Sequence, residues 1–409
     1  MTERLYYNNS FLLNFTAKVV NAEPASEDRA TVVLDRTAFY PTSGGQVFDT
    51  GWMEVESANG DAPKLRVVEV SEKDDGTILH VVEHANLASL QQARVRGFID
   101  VDRRRDHMQQ HTGQHVLSAA FVALFQMPTV SFHMGAESCT IDLDTKTLTP
   151  EQVRRAEALA NEVISEDRPV EIKYATVDEA KAMGVRKIPP AEREKLRLID
   201  IAGFDLIACG GTHVRSTGQI GSILLRKISK EKQGIRVEFV CGMRAVNTAR
   251  KDFETLTEAA GVFSTHIHEV PAQTRKVIDE GKAGAKREHK LLEEIATLMA
   301  DSLLAQAGDS KVIVQYFPDR ELVFTKLLAQ RLTRQGNVVA LLGCGGSQPS
   351  VVFAQTPGVG SDMGALMKEA LVELGGRGGG SKDMAQGSAQ HATKIESVLE
   401  KFAGKFAIP

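Results

Sequence analysis

Short segments that mix β-branched, aromatic and polar residues fill the first ninety residues of the chain. The segments AKVVNAE, ATVVLDRTAFY, KLRVVEV and ILHVVE are typical of half-buried strands, and clusters of turn-forming residues such as Asp74-Asp75-Gly76 separate them. Several short strands at this spacing favour a small closed barrel. We therefore predict a β-barrel domain over residues 1–90.

The hydrophobic spacing changes to that of a helix from Asp102 onwards. Apolar residues recur at helical intervals as far as Met127-Pro128, where the proline ends the helix. Downstream, VSFHMGAESCTIDLD predicts two strands, PEQVRRAEALANEVISED predicts an amphipathic helix capped by Thr149, and QIGSILLRKISKEKQGIRVEFVCG predicts a hairpin. Together these elements predict an α+β domain over residues 91–248.

Two further zones complete the chain. Residues 249–306 place apolar side chains at helical spacing among charges, which predicts a long helix or a helical hairpin that serves as a spacer or dimerisation element. Residues 307–409 alternate candidate strands such as KVIVQYF and NVVALLG with candidate helices such as ELVFTKLLAQRLTRQ, which predicts an α/β domain. The expected fold class is therefore a multidomain α+β protein.

Composition narrows the choice of function. The 409 residues are 42% hydrophobic and 25% charged, which is ordinary for a globular protein of two or three domains. The net charge of −4 means that any contact with RNA must come from local basic patches. No segment has the roughly 18 consecutive apolar residues of a membrane span, and MTERLYYNNS does not resemble a secretory signal. Four cysteines do not indicate a disulfide framework, so we expect a cytoplasmic protein.

The runs HTGQH and CGGTH carry the clearest chemical signal. His111 and His115 have i, i+4 spacing within a predicted helix, which puts both side chains on one face. Cys209 and His213 repeat the spacing at a glycine-rich turn nearly a hundred residues later. Imidazole and thiolate are the usual ligands of zinc, which prefers four of them in a tetrahedron. One zinc ion per chain would join the two segments.

Several motifs together resemble one known family. CGGTHV preceded by HTGQH resembles the editing domain of alanyl-tRNA synthetases and the free-standing alanyl-tRNA editing proteins of the AlaX type. DRTAFYPTSGGQVFDTG is similar to the family's glycine-rich barrel signature, and IDVDRRRDHMQQHTGQHVLSAAF to its first zinc segment. GGRGGGSKDMAQG resembles the C-terminal domain of those synthetases, called DHHA1. The resemblance covers nearly the whole chain and lacks a synthetase catalytic domain, as in the long AlaX form, which acts in trans.

This resemblance implies an enzyme and a metal. Carried over from the family, His111, His115, Cys209 and His213 bind Zn²⁺, and the expected activity is hydrolysis of tRNA(Ala) mischarged with serine, with glycine as a second substrate. The expected partner is therefore mischarged tRNA(Ala), and a homodimer would form through the spacer or the C-terminal domain. The alternatives are a zinc-stabilised tRNA-binding protein without activity and a deacylase for another mischarged tRNA.

The mechanism stays open at this stage. With three protein ligands zinc would activate a water or polarise the ester carbonyl, whereas with four it would organise the site or expand its shell. No glutamate adjoins the HxxxH pair as in HExxH metalloproteases, so no general base is assigned. The terminal adenosine's free hydroxyl and a metal-held water are the remaining choices.

Candidate substrate contacts come from the glycine-rich loop and from the strand after the zinc helix. The loop offers the polar residues Thr42, Ser43 and Gln46, and its glycines allow close approach of the backbone. The candidates are Thr42, Ser43, Gly44, Gly45, Gln46 and Ser131. Gln114, between the zinc histidines, is expected to point away from them.

Candidate tRNA contacts come from basic residues. Arg103 and Arg104 lie in the run VDRRRDH before the zinc motif. Arg377 and Lys382 flank the C-terminal glycines, which we expect to form a loop whose backbone N–H groups cradle phosphate.

Overall fold

The computed structural model describes residues 2–26, 28–56, 63–83, 90–186, 188, 195–232, 234–307 and 311–406. The chain divides into two compact units, Met1–Thr257 and Glu258–Pro409. Within the described residues, no helix combines the length and the apolar character that crossing a membrane requires.

The first unit begins with a closed barrel of six strands, which confirms the predicted architecture. The strands are β1 (Asn14–Ser26), β2 (Arg29–Leu34), β3 (Gly51–Val55), β4 (Lys64–Glu72), β5 (Ile78–Glu83) and β6 (Arg94–Ile99). They pair in the order β1-β2-β5-β4-β3-β6, and β6 closes on β1. Inward residues such as Val32, Met53 and Val95 form an apolar core, because alternate positions on a strand face opposite sides. The closing strand β6 lies past residue 90, where the sequence analysis ends this domain.

Helices and small sheets fill the rest of the first unit, and the last helix, Gly242–Val262, continues past Thr257 into the second unit. The elements are α1 (Val101–Phe125), β7 (Thr129–Met134), β8 (Cys139–Leu143), α2 (Pro150–Ser165), β9 (Val170–Ala175), α3 (Val177–Ala182), β10 (Leu196–Ile201), β11 (Asp205–Ala208), β12 (Ile223–Glu231), β13 (Gly234–Cys241) and α4 (Gly242–Val262). One antiparallel sheet has the order β12-β13-β8-β7, and a second has the order β9-β10-β11. The predicted hairpins and helices of this region are therefore present.

Helix α1 lies at the centre of this unit. Asp100 precedes it, and the Asp100 carboxylate accepts hydrogen bonds from Arg66 and Thr50 of the barrel. The helix is buried on nearly every face from His107 to Phe121. Its apolar residues pack with α2 and with the β12-β13-β8-β7 sheet in one core. Thr149 caps α2 through a capping box with Gln152, as predicted. Because α1 is enclosed by this core, its side chains are held rigidly.

The second unit contains a long helix and a mixed sheet. Its elements are α5 (Val270–Ala307), β14 (Val312–Phe317), α6 (Leu322–Arg334), β15 (Val339–Cys344), β16 (Ser350–Gln355), α7 (Met363–Leu374), β17 (Gly378–Gly380), β18 (Met384–Ser388) and α8 (Ile395–Ala403). The sheet order is β14-β15-β16-β18-β17. The end of α5 and α6 share one apolar core with the sheet, and α7 and α8 share another.

Two features of the second unit refine the sequence predictions. The apolar spacing of residues 249–306 corresponds to two helices, since α4 ends at Val262 and α5 begins at Val270. The glycine-rich segment is not an open loop: Gly378–Gly380 form the edge strand β17, paired with β18. A Cβ on Gly378 or Gly380 would overlap the β18 backbone, so these glycines allow close strand packing.

Candidate metal centre

Four nitrogen and sulfur side chains converge in the first unit. His111 and His115 project from successive turns of α1, and Cys209 and His213 lie in the segment that follows β11. Their ligand atoms all lie within 4.8 Å of one another. Cys209 Sγ is 3.4 Å from His111 Nε2 and 3.3 Å from His213 Nε2. The two runs singled out in the sequence therefore meet at one point.

Hydrogen bonds fix the orientation of two of the rings. His111 Nδ1 lies 2.7 Å from Gln46 Oε1, and an amide oxygen can only accept, so Nδ1 carries the proton and Nε2 keeps a free lone pair. His213 Nδ1 lies 3.2 Å from Thr112 Oγ1, which also accepts from the Val214 amide. Both Nε2 atoms consequently face Cys209. Partners of this kind on the far side of a ring are typical of metal-binding histidines.

The third histidine lacks such partners. Both ring nitrogens of His115 are buried, and neither forms a hydrogen bond with any residue that the structure describes. Buried polar atoms are nearly always satisfied, and an unsatisfied one calls for a bound ion or water. A metal ion shared with the other three side chains would satisfy one of the two ring nitrogens of His115, so the residues present fit a zinc site.

Burial controls the ionisation of the four side chains. It lowers the pKa of His115 to about 3 and the pKa values of His111 and His213 well below their ordinary value, so the rings are neutral at physiological pH. Burial also raises the pKa of the Cys209 thiol, although the Gly211 amide and the charge of Arg197 act in the opposite direction. A bound divalent cation would stabilise the thiolate.

Glycine at position 211 is required by the packing of this centre. A Cβ atom there would overlap the imidazole of His111 and crowd the Gln46 side chain. At the preceding Gly210, a Cβ would come no closer than 3.4 Å to the Tyr7 hydroxyl, an ordinary contact. The second glycine of CGGTH is therefore required for steric reasons, whereas the first is not.

A surface groove of about 400 Å³ opens directly onto the centre. Three of the four ligands line it, together with Gly44, Gln114, Thr129, Val130, Ser131, Phe132, Arg186, Ile207, Ala208 and Gly210. The expectation that Gln114 points away from the ligands is wrong. Gln114 lies three residues after His111, which is only about 60° around the helix at 3.6 residues per turn.

The predicted substrate residues divide into separate groups. Gly44 and Ser131 line the groove, and the Ser131 hydroxyl donates to Asp142 at 2.6 Å. Thr42 and Ser43 line a neighbouring depression, which meets the groove at Gly210. The structure thus brings only part of the predicted set to the metal ligands.

The two remaining substrate candidates, Gln46 and Gly45, have structural roles in hydrogen bonding and packing. Gln46 is fully buried, where it accepts from His111 and from the Thr212 amide and donates to the Thr212 hydroxyl at 2.9 Å. Gly45 lies against Phe132, where a Cβ would overlap the strand. Gln46 therefore supports a ligand, and the prediction that it contacts substrate is corrected. Its link to His111 spans 65 residues and leaves no local pattern in the sequence.

The predicted tRNA residues also differ in their surroundings. Arg104 is fully buried, paired with Asp49 and donating to the carbonyls of Ser10 and Ala38. It has no surface with which to contact RNA, so the prediction for Arg104 is corrected.

The other three predicted tRNA residues keep some accessible surface. Arg103 is half-buried over the Phe48 ring and donates to the Phe48 carbonyl. Arg377 and Lys382 are exposed on either side of β17. These three stay predictions.

Two protein-family models and one solved structure match parts of this chain. The model of "tRNA synthetases class II (A)" matches residues 1–103, and that of the "Threonyl and Alanyl tRNA synthetase second additional domain" matches residues 196–238. Among solved structures, the C-Ala domain of Aquifex aeolicus alanyl-tRNA synthetase aligns at 21% identity and a TM-score of 0.22, over 24% of this chain and 91% of that domain.

Curated relatives align over nearly the whole chain. The alanine–tRNA ligase of Archaeoglobus fulgidus is 33% identical over 98% of this chain, which spans 43% of the ligase. The alanyl-tRNA editing protein AlaX-L of Pyrococcus horikoshii is 30% identical over 405 residues, which cover 98% of this chain and 97% of that protein. The chain therefore belongs to the family of alanyl-tRNA editing proteins.

Proposed function

We propose that this protein is a zinc-dependent deacylase that hydrolyses the ester of mischarged Ser-tRNA(Ala), and of Gly-tRNA(Ala), in trans. The observation that carries the proposal is the cluster of three imidazoles and one thiol, whose ligand atoms lie within 4.8 Å of one another beside an open groove. The relative named for alanyl-tRNA editing and the related alanine–tRNA ligases support tRNA(Ala) as the partner.

The need for such an activity follows from binding energetics. A pocket shaped for alanine cannot reject glycine by more than the modest energy of one methyl group, and it rejects serine weakly because serine adds only one hydroxyl. A second site that hydrolyses the wrong products corrects both errors. A protein acting in trans would meet the charged tRNA after its release from the synthetase.

Each part of the centre has a role in this proposal. His111, His115, Cys209 and His213 would hold Zn²⁺, with Gln46 and Thr112 fixing the rings of His111 and His213. When bound, zinc supplies Lewis-acid polarisation or an activated water at the ester. The groove residues would position the aminoacyl group and restrict its access to water.

Serine recognition would use polar atoms of the groove. Gln114 Nε2 donates to Ser118 Oγ at 2.8 Å, which orients the amide, while its Oε1 accepts no hydrogen bond from any described residue. Because Ser131 uses its proton on Asp142, its oxygen stays able to accept. Both oxygens suit a substrate hydroxyl, which donates one hydrogen bond.

The test is deacylation of Ser-, Gly- and Ala-tRNA(Ala) by the zinc-loaded protein. We expect rapid loss of serine, slower loss of glycine and retention of alanine. His115→Ala should lose both zinc and activity, whereas His133→Ala, which removes an exposed imidazole outside the cluster, should keep both.

Two other outcomes would contradict the proposal. Tight tRNA binding with every ester intact would identify a zinc-stabilised tRNA-binding protein. Hydrolysis of only a different mischarged tRNA would identify a deacylase of other specificity.

A further inference from the structure

One side of the barrel exterior combines basic and aromatic side chains. Trp52 on β3 lies directly across from Arg66 on β4 and from Phe98 on β6. Arg96 on β6 lies between Thr16 on β1 and Glu54 on β3, and Arg94 lies across from Lys18. The Glu54 carboxylate is paired with Lys64 at 2.9 Å. We call the set Lys18, Trp52, Arg66, Arg94, Arg96 and Phe98 the barrel face. Directly opposite residues in antiparallel strands share one side of the sheet, so these six form a continuous surface.

The aromatic part of the barrel face is both accessible and held in place. Trp52 is 43% exposed, although a large aromatic residue is usually placed where most of its surface is buried. The Arg66 guanidinium lies 5.1 Å from the Trp52 ring centroid, and Asp100 fixes that guanidinium with two hydrogen bonds. Arg96 lies similarly over Phe98, at 5.5 Å. The indole is therefore presented to solvent in a defined orientation.

Three basic side chains of the barrel face are not neutralised by a carboxylate of the described residues. Lys18, Arg94 and Arg96 are exposed, and no carboxylate of the described residues forms an ion pair with them. By contrast, Arg29 on the neighbouring β2 pairs with Glu83 at 2.8 Å. Unpaired basic side chains near the exposed Trp52 indole, on a protein of net charge −4, indicate an anionic ligand with flat apolar groups.

RNA has this combination of phosphates and stackable bases. We propose that the barrel face binds tRNA outside the metal centre, with Lys18, Arg94 and Arg96 contacting backbone phosphates and Trp52 stacking on an unpaired or terminal base. The proposal rests on the proposed function only for the identity of the RNA. The barrel face is linked to the metal centre through α1: Asp100, which holds Arg66, immediately precedes this helix, and His111 lies about 16 Å farther along it.

The chain offers an intrinsic probe, because Trp52 is its only tryptophan. Titration of the full-length protein with uncharged tRNA(Ala) should quench the tryptophan emission in a saturable way, since stacking on a base places the indole against a nucleobase. Heparin, a polyanion without bases, should bind without comparable quenching. An unchanged emission while fluorescence anisotropy of labelled tRNA reports binding would overturn the proposal, as would equal quenching by heparin.

Variants separate charge from stacking. Arg94→Ala/Arg96→Ala should weaken tRNA binding and reduce the slope of log Kd against log salt by about 1.4 to 1.8, because two phosphates would no longer be neutralised by the protein. Arg29→Ala/Arg36→Ala removes the same charge from two arginines outside the barrel face, which pair with Glu83 and Glu3, and should leave the slope unchanged. Trp52→Ala should cost at least about fivefold in affinity. If Arg94→Ala/Arg96→Ala binds tRNA with wild-type affinity and salt dependence, Arg94 and Arg96 do not contact phosphates and the proposal is refuted.

The readout also distinguishes this proposal from the deacylase proposal. Binding is measured with uncharged tRNA, so it requires no hydrolysis. Rapid deacylation with an unresponsive Trp52 would refute only the barrel face, whereas quenching without hydrolysis of any ester would refute only the deacylase.

Discussion

Replacing Gln46 with leucine tests whether this buried amide controls the metal centre. Gln46 Oε1 accepts from His111 Nδ1 at 2.7 Å and from the Thr212 amide at 3.1 Å. Leucine has a similar volume but no acceptor, so two buried N–H donors would lose their partner. Each unsatisfied donor costs about 1–3 kcal/mol, which gives a loss of about 2–6 kcal/mol in the free energy of unfolding.

The same change should weaken zinc binding. Without an acceptor at Nδ1, the His111 ring is free to place its proton on Nε2, which removes the lone pair needed for the metal. Loss of a partner of this kind typically lowers metal affinity by about 10–100-fold, or about 1.4–2.8 kcal/mol. The assay is competition for zinc with a chromogenic chelator, together with urea unfolding in the presence and absence of zinc.

Two control variants sharpen this test. Gln46→Glu keeps both acceptor bonds and should retain most of the zinc affinity. Gln114→Leu removes an equivalent amide that touches no ring nitrogen of the cluster, and it should leave zinc binding unchanged. A zinc Kd for Gln46→Leu within twofold of wild type would refute the role given to this amide.

Three further predictions concern packing and charge. Gly211→Ala should displace His111 and abolish tight zinc binding, whereas Gly210→Ala should bind zinc normally; equal zinc content in the two purified variants would contradict the steric argument. Arg104→Met leaves the buried Asp49 carboxylate unpaired and should lower the free energy of unfolding in urea by about 3–5 kcal/mol. A variant that is as stable as wild type but binds tRNA more weakly would instead support the prediction that Arg104 contacts tRNA. Burial lowers the pKa of His80 to about 4, so its stabilising contribution is complete above about pH 6.5 and is lost as the pH falls towards 4. Between pH 7.5 and pH 5 this loss amounts to about 2 kcal/mol, and His80→Gln should flatten the measured pH dependence of unfolding by that amount.

Local patterns were sufficient to single out the four side chains of the candidate metal centre and to predict most of the elements. Spacing of i, i+4 fixes two side chains on one helix face whatever the fold, so His111 and His115 required no tertiary information. The strand and helix periods likewise depend on nearby residues. The misplacement of Gln114 was an error in helix geometry that the same rule corrects.

The features that the sequence analysis missed depend on contacts between residues that are far apart in the sequence. Nothing in the run RRR distinguishes the buried Arg104 from Arg103, because the partner of Arg104, Asp49, lies 55 residues earlier. The barrel face escaped notice because its residues come from four strands and become neighbours only through strand pairing. The C-terminal glycines suggested a loop, since glycine is depleted in strands, yet pairing with β18 overrides that preference.

The contact of Gln46 with both His111 and Thr212 limits how far the candidate metal centre can be transplanted. One amide from the barrel joins two segments that lie 65 and 166 residues farther along the chain. A fragment that begins at α1 would retain all four ligands and yet lose the acceptor that fixes the His111 tautomer. A designer who grafts the centre onto another scaffold must therefore carry over the SGGQ turn with the ligands, and a recombinant that exchanges the barrel will function only if its replacement presents the same amide.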